Sequence, residues 1–303
     1  VGKPKRQGYP SKNHNKKMSV KIEVYYGNVG NHMFQYFSAF LYSHIHDLYL
    51  ETSMSSKMQK FIHMKKAPNE GKQFNMQNNH DMIRLTCEDI NGSTIRYEGP
   101  NKTYIFQDYF QHSIIFNRYV HVLLSYFEII PESISKWAIT EASPSPHDVI
   151  VFVRLGDFIH EGYNSEIVHP SYIYHALKQI EVFTSVHNVY MVIHPETDSR
   201  IQSYMDYLSG HRSKLRIIPS SARNERFDFT IAKYFDNIII TNSTFNWWSI
   251  FFQDRLQYKR VFTPKYMGFL GIDTHKRCHG NHVKDLWNIR NMVHPIEHEF
   301  INL

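Results

Sequence analysis

Long apolar runs are missing from this sequence. No stretch approaches the roughly 18 apolar residues that a membrane-spanning helix needs. The most apolar segments, Val149–Val153 and Ile238–Ile240, are strand-sized. Any membrane anchor is therefore expected outside these residues. Cysteine is scarce as well. Cys87 and Cys278 are the only two, too few for a disulfide framework, and they leave the redox compartment open. A dense basic stripe is also lacking. The formal net charge of +6 is spread over 303 residues, which suits an anionic ligand but is too mild, and too poor in recognition motifs, for a nucleic-acid-binding protein. The dinucleotide fingerprint GxGxxG does not occur.

Aromatic residues, by contrast, are abundant. They make up 15% of the chain within a hydrophobic share of 42%, which argues for a packed globule rather than a disordered chain. Residues 1–18 stand apart: they are basic, contain Pro and Asn, lack hydrophobic periodicity, and read as a flexible tail or linker. Sequons at Asn91 and Asn101 permit glycosylation in a secretory lumen, although such tripeptides are frequent by chance in an Asn-rich chain.

Beyond the tail, Val20–Tyr26 is β-rich and runs into Gly27-Asn28-Val29-Gly30-Asn31. A helical pattern over Met33–Ile45 follows. Strand, glycine turn and helix in that order open a Rossmann-like unit. A helix is expected over Asn117–Tyr126, and the alternating prolines of Ser143-Pro144-Ser145-Pro146 mark a linker. Strands are then expected at Val149–Val153, Val189–Ile193, Leu215–Ile218 and Ile238–Thr241, with Arg260–Phe262 as the last. Helices are expected at Ser171–Phe183, Asp198–Leu208, Phe227–Tyr234 and Phe245–Leu256. Buried β runs alternating with amphipathic helices imply parallel sheets covered on both faces. The expected fold is α/β, in two halves: 19–146, and 147–303 with a C-terminal tail. Ligands of such folds collect at the carboxyl ends of the strands.

Three motifs sit at those ends. In Gly27–Tyr36 the glycines let the backbone approach a ligand, and the helix that follows offers free N–H groups to an anion. In Val151–Phe158, Arg154 stands at the mouth of a buried strand ahead of Gly156 and Asp157. A guanidinium there can grip a diphosphate bidentately, and the grip strengthens as charge builds on a departing phosphate. An Arg154–Asp157 ion pair is the structural alternative. In Ile238–Trp248, Asn242, Ser243 and Thr244 precede a helix N-terminus, which suits an anion and equally suits an ordinary N-cap. Trp247 and Trp248 are expected in the core.

Taken in this order, the three motifs resemble those of the α-1,2-fucosyltransferases, glycosyltransferase family 11. The family's G-x-GN-x-x-FQY is matched by Gly30, Asn31, Phe34, Gln35 and Tyr36. Its H-x-R-x-G-D is matched by Arg154, Gly156 and Asp157, and its S-N-S-S/T-F-x-W-W by Asn242 through Trp248. Weaker similarity at Tyr104–Phe110 and His169–Tyr172 extends the resemblance from about Ile22 to about Pro264. The resemblance implies a GT-B fold, two Rossmann-like domains facing across a cleft. It further implies inverting transfer of fucose from GDP-fucose to a glycan acceptor, with no metal and no cofactor beyond the donor. Carried onto this chain, Arg154 holds the diphosphate. Gly156, Asn242, Ser243, Thr244 and Phe245 line the donor site, and Asn31 reaches across from the N-terminal half. The compartment is then cytoplasm, or Golgi lumen given an upstream anchor.

Two positions depart from the pattern. The motif histidine is Phe152 here, and the usual S-D-D stretch is His194-Pro195-Glu196. Both departures suit a rival reading, a non-catalytic nucleotide-sugar or glycan-binding relative. A transferase with another linkage or acceptor is a second rival. Asp157 is the first candidate for general base, with Glu161 and Glu166 nearby in sequence. His275, Cys278, His279 and His282 lie close together, but their spacing matches no zinc pattern and no metal is expected.

Overall fold

A computed structural model describes residues 19–70, 72, 81–90, 95–99, 102–111, 113–131, 144–155, 167–195, 200–211, 213–254, 256–264, 289–290 and 293–296. The tail, Gly156, Asp157, Glu161, Glu166, Glu196 and the His275–His282 cluster lie outside these residues.

In chain order the elements begin β1 (Ser19–Ile22), α1 (Val29–Ile45), β2 (Tyr49–Leu50), β3 (Ile62–Met64), β4 (Met82–Leu85) and β5 (Thr103–Phe106). They continue α2 (Ser113–Arg118), α3 (Val120–Tyr126), β6 (Phe127–Ile129), β7 (Val149–Arg154), α4 (Pro170–Glu181) and β8 (Asn188–His194). The chain then forms α5 (Ile201–Leu208), β9 (Lys214–Ile217), α6 (Glu225–Thr230), β10 (Asn237–Ile240), α7 (Thr244–Phe251), β11 (Arg260–Pro264) and β12 (Val293–Ile296). The strands make a parallel sheet in the order β2-β1-β5-β4, a second parallel sheet in the order β12-β11-β10-β7-β8-β9, and a small antiparallel pair, β3-β6. These are two parallel α/β layers whose strand mouths meet, the GT-B arrangement.

Strand β7 shows why an unbroken apolar run is needed. Val149, Val151 and Val153 pack beneath α4 and α5, whereas Ile150 and Phe152 face a second core on the other side of the sheet. Side chains alternate with period two, so a strand covered on both faces must be apolar throughout. That second core crosses between the halves. It joins α1, which is buried on nearly every side, to α7. Phe34 lies 4.9 Å from both Trp247 and Trp248, and Phe37 lies 4.8 Å from Trp248. Each such pair adds about 0.5–1.5 kcal/mol beyond its buried area. Phe34 of the first motif and Trp247 and Trp248 of the third are therefore core, and they weld the halves together.

Several expectations are corrected. Arg260–Phe262 is not the last strand, because β12 pairs with β11 in parallel at the sheet edge. β1 ends at Ile22 rather than Tyr26, since its ladder with β5 stops there and Glu23–Tyr26 turn outward. The expected helix over Asn117–Tyr126 is split at Tyr119 into α2 and α3. The expected helix over Phe245–Leu256 closes at Phe251, and Gln253 folds back to donate from Nε2 to the Ser249 carbonyl (2.7 Å). Strands β2, β3, β4, β5 and β6 had no expected counterpart. Cys87 is fully buried and held in a disulfide. Among the described residues no helix is long and apolar enough to cross a membrane.

Candidate functional site

The backbone stitches the second and third motifs together before any ligand is considered. β7 lies between β10 and β8, with Ile240 opposite Phe152 and His194 opposite Arg154. Past the end of β10, the Thr241 N–H donates to the Phe152 carbonyl (3.1 Å) and Thr241 Oγ1 accepts from the Arg154 N–H (3.0 Å). Arg154 thus leaves the sheet in a fixed direction, half-buried, between the mouths of two neighbouring strands.

The first motif arrives from the other half. Gly30 sits in the first turn of α1 against the first turn of α7. A Cβ at Gly30 would stand 2.5 Å from Thr244 Oγ1 and 2.6 Å from the Phe245 nitrogen. Two helix N-termini, each with N–H groups that have no partner within the helix and a partial positive charge, therefore converge on one point. Between the halves opens a cavity of about 590 Å³, walled by Asn28, Val29, Gly30, Lys57, Lys60 and Phe61 on one side and by Arg154, His194, Pro195, Glu225, Asp228, Thr244 and Phe245 on the other. Three permanent cations face two carboxylates. A larger cavity of about 710 Å³ lies by the β3-β6 pair and Lys259, away from all three motifs.

Asp228 is the residue that sequence reasoning missed. Asn224 caps α6, its Oδ1 accepting from the Phe227 N–H (2.8 Å), and this sets Asp228 in the first turn. Its carboxylate is almost fully buried. Oδ2 accepts from Arg223 (2.6 Å) and contacts His194 Nε2 (2.6 Å). Arg223 is equally buried and also donates to the Ile193 carbonyl. Oδ1 has no partner. Asp228 lines both the large cavity and a small adjoining pouch of about 20 Å³ shared with Phe152, Arg154, Ser243 and Phe245. A buried carboxylate oxygen with no donor is costly, by about 1–3 kcal/mol or more. The only signal in the sequence was an Asp in the first turn of an expected helix, which resembles ordinary dipole compensation.

The other expected site residues are placed as follows. Ser243 is the N-cap of α7 and accepts from the Asn246 N–H (3.3 Å), so the capping alternative describes its hydroxyl here. Thr244 and Phe245 are partly exposed in the cavity wall, and Asn242 is buried beside them. Asn31 sits behind the glycine turn. Its Oδ1 accepts from Gln111 (2.8 Å), and its amide lies against Gly27, where a Cβ would be 2.3 Å away. Asn28 and Gly30, rather than Asn31, form the wall. Gly27 needs its missing side chain twice over, for that contact and for its φ of +76°. Phe152 is buried, and the His194–Pro195 peptide is cis.

The lysine-bearing loop is tied to the glycine turn through His32. Ser55 Oγ is 2.9 Å from His32 Nδ1, and His32 Nε2 is 3.0 Å from the Gly27 carbonyl. Ser55 also accepts from the Met58 N–H (3.3 Å). The chain of bonds closes with a neutral imidazole protonated at Nε2. Burial and the nearby Lys57 charge push the His32 pKa below its ordinary value, partly opposed by the Gly27 hydrogen bond.

No protein-family model matches the chain, and no curated protein matches it. Among solved structures, the chain is similar to an arginine-to-lysine mutant of FUT1 from Arabidopsis thaliana in complex with GDP, with a TM-score of 0.48 and 11% identity over 85% of this chain and 72% of that one. It is also similar to NodZ, an α-1,6-fucosyltransferase soaked with GDP-fucose, with a TM-score of 0.47 and 11% identity over 78% of this chain and 93% of that one. At these values the similarity concerns the path of the chain and says nothing about individual site residues.

Proposed function

We propose that this protein transfers L-fucose from GDP-fucose to a sugar hydroxyl, with inversion and without a divalent metal, and that the acceptor hydroxyl is the 2-OH of a galactose-type sugar. One observation carries the reading: a single cavity is walled by Arg154, by the N-termini of α1 and α7, and by Asp228. A guanidinium beside helix N-termini suits a diphosphate. A buried carboxylate suits the guanine edge, where N1–H and the 2-amino group both donate; adenine presents no such pair of donors. The ordered motifs supply the sugar.

In the proposed reaction the acceptor oxygen bonds to the anomeric carbon as its bond to the β-phosphate breaks, and GDP departs. Negative charge grows on that phosphate. Arg154, Lys57, Lys60 and the two helix ends are assigned to stabilise it, a contribution larger in the transition state than in the ground state. Asp157 is kept as the first candidate to take the acceptor proton, and Asn31, Gly156, Asn242, Ser243, Thr244 and Phe245 stay assigned to the donor side.

The decisive experiment measures GDP release from GDP-fucose in EDTA, with and without galactosides, for wild type and Arg154→Ala. Acceptor-stimulated release that collapses in the variant supports the proposal. A second reading, a GDP-binding relative without turnover, is favoured by Phe152, which is buried where the motif has a histidine. Tight GDP binding with no transfer to any acceptor would select it. No GDP binding at all defeats both.

A further inference from the structure

Lys57 and Lys60 reach the cavity on a short loop whose only regular structure is one 3₁₀ turn over Met58–Lys60. Its far end touches the opposite half: Phe61 packs against Phe229 (5.1 Å) and Phe245 (5.3 Å), and Lys60 lies 3.8 Å from Glu225. Its near end hangs on α1 and the turn before it. Tyr25 donates its hydroxyl to the Ser53 carbonyl (2.8 Å) and stacks on His32 at 4.9 Å. His32 Nδ1 meets Ser55 Oγ (2.9 Å), which accepts from the Met58 N–H (3.3 Å), and the Ser55 carbonyl accepts from the Gln59 N–H (3.1 Å). The other ring nitrogen, Nε2, reaches the Gly27 carbonyl (3.0 Å). That carbonyl is itself anchored, because Gln35 binds both backbone groups of the preceding residue, accepting from the Tyr26 N–H (3.0 Å) and donating to the Tyr26 carbonyl (2.9 Å). One imidazole therefore spans two pieces of the cavity wall, the glycine turn and the lysine loop, while standing behind both.

A lysine ammonium is a point charge on a flexible four-carbon stem, so its hold on an anion depends on how well the backbone beneath it is ordered beforehand. His32 is 7% exposed, and its two bonds are made where water cannot readily replace them. Removing the ring leaves Ser55 and the Gly27 carbonyl to find other partners. We infer that His32 is a positioning residue for diphosphate binding: it locks the loop of Lys57 and Lys60 to the glycine turn, so that both ammonium groups and the N-terminus of α1 meet one anion together. His32 touches no ligand and acts through the two lysines. The inference rests on the donor reading of the cavity.

The test uses the full chain as wild type, His32→Ala and His32→Gln, each with and without the pair Lys57→Ala and Lys60→Ala. GDP affinity is read by calorimetry, and amide hydrogen exchange is followed at Met58 and Gln59. His32→Ala should raise the Kd for GDP about tenfold and speed exchange at both amides by a similar factor. His32→Gln should stay within about twofold of wild type on both readouts, because its amide can donate to Gly27 and accept from Ser55 as the ring does. Without the lysines, His32→Ala should change the Kd by less than about twofold, since the cations it positions are gone. Ser55→Ala cuts the same bridge from the loop side, should match His32→Ala within about twofold, and takes its place should His32→Ala fail to fold. Wild-type GDP affinity in the folded His32→Ala or Ser55→Ala protein overturns the inference. So does a tenfold loss that persists without the lysines, or a His32→Gln protein no better than His32→Ala. Absence of GDP binding in wild type strikes the donor reading instead, and exchange at Met58 and Gln59 still decides whether His32 holds the loop.

Discussion

Replacing Gly30 by alanine adds one methyl group where the two halves touch. Its carbon would lie 2.5 Å from Thr244 Oγ1, 2.6 Å from the Phe245 nitrogen and 2.6 Å from the Thr244 carbonyl carbon, against an ordinary contact of 3.4–4 Å. Two of the three atoms are backbone, so no rotamer change relieves the clash, and α7 must retreat from α1 by about 1 Å. Overpacking of this kind costs about 1–3 kcal/mol. The entropic gain of Gly→Ala returns at most about 1 kcal/mol, so the net expectation is a loss of about 1–2 kcal/mol. At roughly 2–4 °C per kcal/mol for a chain of this size, Tm should fall by about 2–8 °C. The retreat also separates the two helix ends that frame the anion site, and a displacement of that size typically costs about a hundredfold in rate. Gly210→Ala is the matched control, because its nearest neighbour would be the Tyr207 carbonyl at 3.9 Å, and it should leave Tm within about 1 °C. Differential scanning calorimetry, GDP titration and transfer kinetics on the three proteins test the reasoning. A Gly30→Ala protein with the Tm and GDP affinity of wild type would refute the direct contact between the halves.

Other expectations follow from the same geometry. Arg154→Lys should weaken GDP binding by about 1.5–3 kcal/mol, read as a ten- to hundredfold rise in Kd, because an ammonium cannot replace a bidentate guanidinium; an unchanged Kd would remove the diphosphate role. Asp228→Asn should narrow the preference for GDP over ADP and also destabilise the fold by about 3–5 kcal/mol, since it leaves Arg223 buried without its counter-ion; retained preference in a folded variant would exclude Asp228 from base recognition. Burial pushes the pKa values of His32, His44 and His46 below their ordinary value. The unfolded chain therefore binds more protons than the folded one once pH drops into the range of a normal histidine, so Tm should hold above about pH 7 and fall as pH is lowered through about 6.5. His32→Gln should flatten part of that slope, and a Tm independent of pH between about 7.5 and 5.5 would contradict the neutral His32 bridge.

The strongly patterned elements were legible in the chain. β7, β8, β10 and α1 were visible because each is buried on most sides, and continuous burial writes apolar runs or helical periodicity into the sequence. β4 was not visible, because three of its four residues face solvent to some degree and no alternation survives. β2 is two residues long and carries no pattern at all. The site divides in the same way. Arg154, Thr244 and Phe245 stood out because a strand, a turn and a helix surround each of them within a few residues. His194 was read as a departure from a motif, yet in the fold it is the neighbour of Arg154 in the sheet and of Asp228 across a 2.6 Å contact.

By itself, the sequence determined the two α/β halves, the order of the motifs and the cationic residue at the mouth of the central strand, since all of these are local consequences of periodicity and turn chemistry. Only the tertiary structure decided what those parts meet. Gly30 serves the approach of α7, the Phe34–Trp248 contacts serve the core between the halves, and Gln35 serves the placement of Tyr26. Asp228 becomes a candidate binding group only when the fold sets it in the cavity wall, with Arg223 and His194 on one oxygen and no partner on the other. Those relations join residues from different elements, and their energies depend on distance and burial in the folded state. No pattern along the chain encodes them.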